Sequence, residues 1–188
     1  MKVVNWTQFL ENDLPLQGKL SSMTVGVFDG VHRGHQSLIE RIVSRSSNAP
    51  SADYVPTVVT FRQNHKTSPD IQTFEQRLEI FESLGIEITV VIDFTESFMQ
   101  LPGLEFLNLL LKHGRIGFFA AGDNFRCGCK LDTDAKAIKD FFASHNIPAE
   151  IVPQIMEGAL PISSSRIRAA IASGDHALAE KMLGRRSK

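Results

Sequence analysis

Two rhythms of hydrophobic and polar positions alternate along this chain. Short apolar runs rich in β-branched residues have the pattern of buried strands, and longer stretches with apolar residues every three to four positions have that of amphipathic helices. The second rhythm begins at residues 5–11. Leu14-Pro15-Leu16-Gln17-Gly18 then connects to a strand at 23–28, and a helix follows from about 34 to 44, with Leu38, Ile39, Ile42 and Val43 toward the core. Residues 56–61 form a second strand, 74–84 a helix stopped by Gly85, and 86–93 a third strand. A very apolar helix at 104–114, a strand at 116–121, a helix at 134–145 and a strand at 149–154 come next. Short helices at 165–173 and 175–183 close the pattern, with Gly174 and Gly184 as stops. Five strands alternating with helices predict an α/β fold: a Rossmann-like, five-stranded parallel sheet with helices on both faces and ligands at the carboxyl ends of the strands.

Composition narrows this only modestly. The chain has 188 residues, 43% of them hydrophobic, which suits one domain spanning 1–188. Lys and Arg number 20 against 21 Asp and Glu, so no overall field favours nucleic acid or an anionic membrane. No run has signal-peptide or membrane-spanning character, and a cytoplasmic setting is expected. Cys127 and Cys129 are too close for a structural disulfide and too few for zinc; reduced thiols are expected.

The chemistry concentrates where the first strand gives way to its helix, in Gly26-Val27-Phe28-Asp29-Gly30-Val31-His32-Arg33-Gly34-His35. Gly26, Gly30 and Gly34 allow a tight loop that approaches a ligand closely, and a helix N-terminus facing the same space suits a phosphate. His32 and His35 stand three residues apart, so both imidazoles can donate to an oxygen that gains negative charge. Their spacing would also serve two metal ligands, but no third or fourth ligand stands at a familiar distance, and no protein-held metal is expected. Ordinary loop polarity is the other bland reading.

A second cluster lies near the C-terminus. Ser164 and Ser165 stand where a helix should start, which fits either an N-cap or a phosphate site, and Arg166 and Arg168 add guanidinium groups that can hold two oxygens at once. Arg166 is also compatible with simple solvent exposure. The chain has no P-loop motif and no Gly-x-Gly-x-x-Gly fingerprint. Asn64 follows strand two, Asp93-Phe94-Thr95 strand three, and Asp123-Asn124 strand four, so the polar candidates gather at one end of the expected sheet. The long polar stretch 62–72 exceeds a normal α/β connection and has the character of a loop that closes over substrates.

The string from Gly26 to His35 resembles the signature of the bacterial FAD synthetases, within the His-x-Gly-His nucleotidylyltransferase superfamily. Further similarity lies in Val59-Thr60-Phe61, Phe94-Thr95-Glu96-Ser97-Phe98, Gly122-Asp123-Asn124-Phe125, Ile162 to Arg168 and Leu183-Gly184-Arg185. The resemblance implies a nucleotidylyltransferase fold and transfer of AMP from ATP to FMN, yielding FAD and pyrophosphate. It implies His32, His35 and Arg168 as catalytic residues. ATP would be held by Gly26, Phe28, Asp29, Gly30, Gly34, Ser164, Ser165 and Arg168, and FMN by Asn64, Asn124 and Phe125. Mg²⁺ would accompany ATP, held mainly by phosphates and water. Asp29 would orient the loop, approach the metal or play a purely structural part.

The chain also departs from the family pattern. Gln63 and His65 stand where the family has prolines, and Cys127 where it has a second phenylalanine, so a looser flavin loop, a missing aromatic surface and weaker FMN binding are expected. The usual C-terminal riboflavin kinase domain has no counterpart here. That leaves a stand-alone adenylyltransferase drawing on a separate riboflavin kinase, or a piece of a longer enzyme. Two other readings remain: a nucleotidylyltransferase with another phosphate acceptor, and a non-catalytic flavin- or nucleotide-binding relative.

Overall fold

The computed structural model of the protein describes residues 1–48, 53–63 and 69–186. Its main sheet is built from β1 (Lys2–Asn5), β2 (Leu20–Val25), β3 (Tyr54–Phe61), β4 (Ile88–Ile92), β5 (Ile116–Gly122) and β8 (Ala149–Val152). The spatial order is β1-β4-β3-β2-β5-β8, and every neighbouring pair is parallel. The parallel α/β architecture is the expected one, with six strands rather than five. The additional strand is β1, a four-residue edge strand with the burial of a single residue, Val4, too short for its alternation to register in sequence. Two short antiparallel ribbons flank the sheet, β6 (Arg126–Cys127) with β7 (Thr133–Asp134), and β9 (Met156–Glu157) with β10 (Leu160–Pro161).

The helices are α1 (Trp6–Asn12), α2 (Arg33–Asn48), α3 (Phe74–Ser83), α4 (Glu96–Met99), α5 (Gly103–Gly114), α6 (Ala135–Ser144), α7 (Ser164–Ala172) and α8 (His176–Leu183). Asn5 and Thr73 close capping boxes at α1 and α3, which fixes where each begins. Side chains alternating along β5 explain why both faces are covered. Phe119 and Ala121 join Met23, Val25, Phe106, Leu110 and Phe142 on the face under α1, α5 and α6, while Phe118 and Ala120 join Leu38, Ile42 and Phe81 under α2 and α3. A smaller cluster of Ile162, Ile167, Ala179, Met182 and Leu183 binds α7 to α8.

From β2 the chain passes first to β3 and β4 on one side, then to β5 and β8 on the other. The crossover connections therefore diverge between β2 and β5. In an open parallel sheet that divergence opens a crevice at the carboxyl ends, the position where such folds bind ligands.

Candidate active site

The loop after β2 is built around three ring packings. A Cβ at Gly26 would meet the Phe28 ring at 3.1 Å, close enough to press on it. Phe28 takes a left-handed φ of 54°, which turns its ring inward against His35 and Phe81, with centroids at 5.1 and 5.6 Å. Gly30 follows at φ 82° and Val31 at φ 33°. His32 then caps α2: its carbonyl accepts from the Gln36 N–H at 2.9 Å, and its Nδ1 accepts from the His35 N–H at 3.3 Å. That bond leaves the proton of a neutral His32 on Nε2. The His32 and His35 rings stack at 3.6 Å, and a Cβ on Gly34 would meet the His32 ring at 3.2 Å. The glycine between them thus avoids crowding the stacked pair.

Burial and neighbouring cations keep both imidazoles neutral. Burial lowers the pKa of His32 to about 4, assisted by Arg185, and holds that of His35 well below its ordinary value, assisted by His32, Arg77 and Arg185. His35 Nδ1 is buried and has no partner among the described residues. Asp29 joins three segments. Its Oδ1 accepts from the Ile71 N–H at 2.9 Å, its Oδ2 pairs with Arg168 Nη2 at 2.5 Å, and its carbonyl accepts from the Ser164 hydroxyl at 2.9 Å. Burial raises the pKa of this carboxyl, opposed by the Ile71 N–H and Arg168. Arg168 also donates through Nε to the Pro69 carbonyl at 3.0 Å.

These groups surround a cavity of about 160 Å³ at the carboxyl ends of β2 and β5. Gly26, Phe28 and Asp29 line it from one strand, Gly122, Asn124 and Phe125 from the other. His35 of α2 and Ser164 and Arg168 of α7 complete the wall. The Phe61 ring at the end of β3 stacks on that of Phe94, just after β4, at 4.3 Å.

The model of the FAD synthetase family matches residues 16–166. The chain belongs to that family. Among curated relatives, it is 30% identical over 171 residues to a bifunctional riboflavin kinase/FMN adenylyltransferase of Buchnera aphidicola, covering 88% of this chain and 55% of the relative. The Escherichia coli K12 protein of the same name is 29% identical, with 86% and 53% covered, and a Listeria monocytogenes FAD synthetase is 26% identical, with 86% and 68% covered. The chain thus spans about half the length of the bifunctional relatives. A crystal structure titled as a macrolide-efflux protein from Streptococcus pneumoniae superposes with a TM-score of 0.81 at 25% identity, over 98% of this chain and 60% of that one.

For this member of the FAD synthetase family, the sequence-derived candidates divide into four groups. His35, Gly26, Phe28, Asp29, Ser164, Arg168, Asn124 and Phe125 come together at the cavity. His32, Gly30 and Gly34 shape its wall from behind: His32 is 6% exposed, Gly30 makes the turn, and Gly34 accommodates the histidine ring. Ser165 is exposed and does not line it. Asn64, with His65, lies outside the described residues.

Other expectations need correction. The N-cap of α7 is Ser163, whose hydroxyl accepts from the Arg166 N–H at 3.2 Å. Ser164 and Arg168 are already committed to Asp29. Arg166 does not simply face solvent; it donates to the carbonyls of Glu157, Leu160 and Pro161 and holds the β9–β10 ribbon. Cys127 is buried in the sheet core at 8% exposure, with burial pushing its thiol pKa up to about 12, so it leaves no gap in an aromatic surface at the cavity. Sequence reasoning gave no role to two further residues, Arg77 and Arg185, although Arg185 falls in the family-like Leu183-Gly184-Arg185 block. Arg77 of α3 donates to the carbonyls of Val27 and Arg62, and Arg185, just after α8, reaches back to Gly30 and Val31.

Proposed function

We propose that this chain transfers the AMP group of ATP to the phosphate of FMN, giving FAD and pyrophosphate. One observation carries the reading: the neutral His35, Ser164 and Arg168 from the start of a helix, and Asn124 with Phe125 converge on a crevice at the sheet's switch point. An FMN phosphate oxygen is already anionic and needs no base. It attacks the α-phosphorus in line; the new P–O bond forms as the bond between the α-phosphorus and the bridging oxygen breaks, and pyrophosphate leaves.

Neutral imidazoles suit this step as hydrogen-bond donors, because charge on the transferring group grows beside them without a resident cation competing for position. His35, the imidazole that lines the cavity, is the one placed to meet a phosphoryl oxygen, and His32 braces its ring. Arg168 meets the leaving pyrophosphate while remaining tethered to Asp29 and Pro69. Among the described residues no group of three His, Cys, Asp or Glu could hold a metal ion, and both oxygens of Asp29 are engaged. Magnesium would enter as MgATP, part of the substrate, with phosphates and water as its main ligands. Phe125, which lines the cavity, offers apolar surface for a flavin ring. No helix among the described residues is long and apolar enough to cross a membrane. The reading places the chain in the cytoplasm, with FMN supplied by a riboflavin kinase.

The test is incubation with ATP, Mg²⁺ and a panel of phosphate acceptors, with products identified by mass. FAD formed from FMN supports the reading. A different adenylated acceptor means another nucleotidylyltransferase, and binding without any product means a non-catalytic relative.

A further inference from the structure

The turn that carries the histidines contains a strained residue. Val31 sits at φ 33°, in the left-handed region where a β-branched side chain is disfavoured, and Phe28 three residues earlier is left-handed too. Such geometry persists only where neighbouring groups fix it. Here the fixing groups come from far along the chain. Arg185 donates through Nη2 to the Gly30 carbonyl at 2.5 Å and to Gln72 Oε1 at 2.7 Å, and through Nη1 to the carbonyls of Val31 at 3.0 Å and Leu183 at 3.3 Å. Gln36 Nε2 donates to the same Val31 and Leu183 carbonyls, each at 2.8 Å. The Gly30–Val31 turn is thereby clamped to the end of α8. Gly184, at φ 71°, turns the chain so that Arg185 can point back.

We propose that Arg185 is a positioning residue for adenylyl transfer, its guanidinium holding the strained Gly30–Val31 turn so that His32 and His35 stack in register at the cavity. Arg185 is not among the residues that line the cavity, and it lies beyond the residues matched by the family model. The planar fork matters because four acceptors on three segments are met by one side chain; an ammonium on a flexible stem would satisfy them only in part. The charged groups acting on the imidazole pair are Arg185 and Arg77 of α3, while Asp29 on the same loop is neutralised by Arg168 of α7. Loss of Arg185 removes one nearby cation and also loosens the turn that buries His32, and both changes make His32 easier to protonate.

The inference rests on the adenylyltransferase reading for its kinetic part, so the deciding readout is taken without substrate. Arg185→Gln and Arg185→Lys are made in the full chain, and the His32 and His35 ring resonances are followed by NMR against pH. We expect His32 to titrate at higher pH in both variants, the lysine showing that geometry matters beyond charge. With ATP and FMN, kcat should fall roughly 10²-fold while the ATP dissociation constant stays within about threefold. Unchanged histidine titration, or full rescue of both titration and kcat by lysine, overturns the proposal. If the glutamine variant fails to fold, seen as collapsed amide dispersion, the lysine variant decides alone. An unmodified protein that makes no FAD refutes the proposed function, while the titration still tests Arg185.

Discussion

Acid should destabilise this protein through the very imidazoles that make its site. His32 is held neutral in the folded state, with a pKa of about 4, whereas the unfolded chain takes up the same proton near the ordinary value of 6.5. Between those two values the unfolded state binds more protons, so stability falls as the pH drops through that window and the loss ends once folded His32 is protonated as well. From about pH 7.5 to about pH 4.5, His32 alone should remove roughly 2.5 kcal/mol, or about 5–10 °C in Tm for a chain of this size. His35, shifted in the same direction, adds to the loss. The perturbation that isolates the effect is His32→Asn, which does not titrate yet can still cap α2. Urea unfolding of both proteins at both pH values gives the comparison, since carboxylate effects cancel between them. The native protein should lose about 2 kcal/mol or more beyond what the variant loses. If the two lose the same amount, His32 is not buried neutral and the electrostatic account of the site is wrong.

Other consequences can be checked on the same preparation. His35→Ala should lower kcat for FAD formation by roughly 10²–10³-fold with a smaller change in ATP affinity, because the lost donor acts on developing charge; unaltered turnover would remove His35 from the reaction. Arg168→Ala should weaken ATP binding and also leave the 4%-exposed Asp29 carboxylate without its partner, lowering stability by roughly 2–4 kcal/mol in urea unfolding. A variant with native stability and native ATP titration would show that the Asp29–Arg168 pair is immaterial. Cys127→Phe should not tighten FMN binding in a fluorescence titration; it forces a large ring into the packed core and should cost about 1–3 kcal/mol. Improved FMN affinity at unchanged stability would place that side chain at the flavin after all.

What the sequence determined by itself is what short-range physics controls. Apolar periodicity marked the central strands and every long helix, because each strand is buried on both faces and each helix on one. The Gly26–His35 string was legible for a related reason: glycines at fixed offsets and two histidines on one turn are local geometry, and part of the loop's packing is among its own rings. Long-range partners had no such mark. Nothing in Ser164-Ser165-Arg166-Ile167-Arg168 indicates that Ser163 takes the cap, that Ser164 and Arg168 bind Asp29, or that Arg166 secures a ribbon five to nine residues upstream. Cys127 read as a vacancy in an aromatic surface because its residue type was visible and its direction was not; a side chain in a two-residue ribbon points inward or outward according to what the ribbon packs on. Arg77 and Arg185 are the fullest case. Their hydrogen bonds span 50 and 155 residues to loop carbonyls, and only the folding of α3 and α8 against the β2–α2 loop turns two ordinary arginines into the groups that hold the site and keep its histidines neutral.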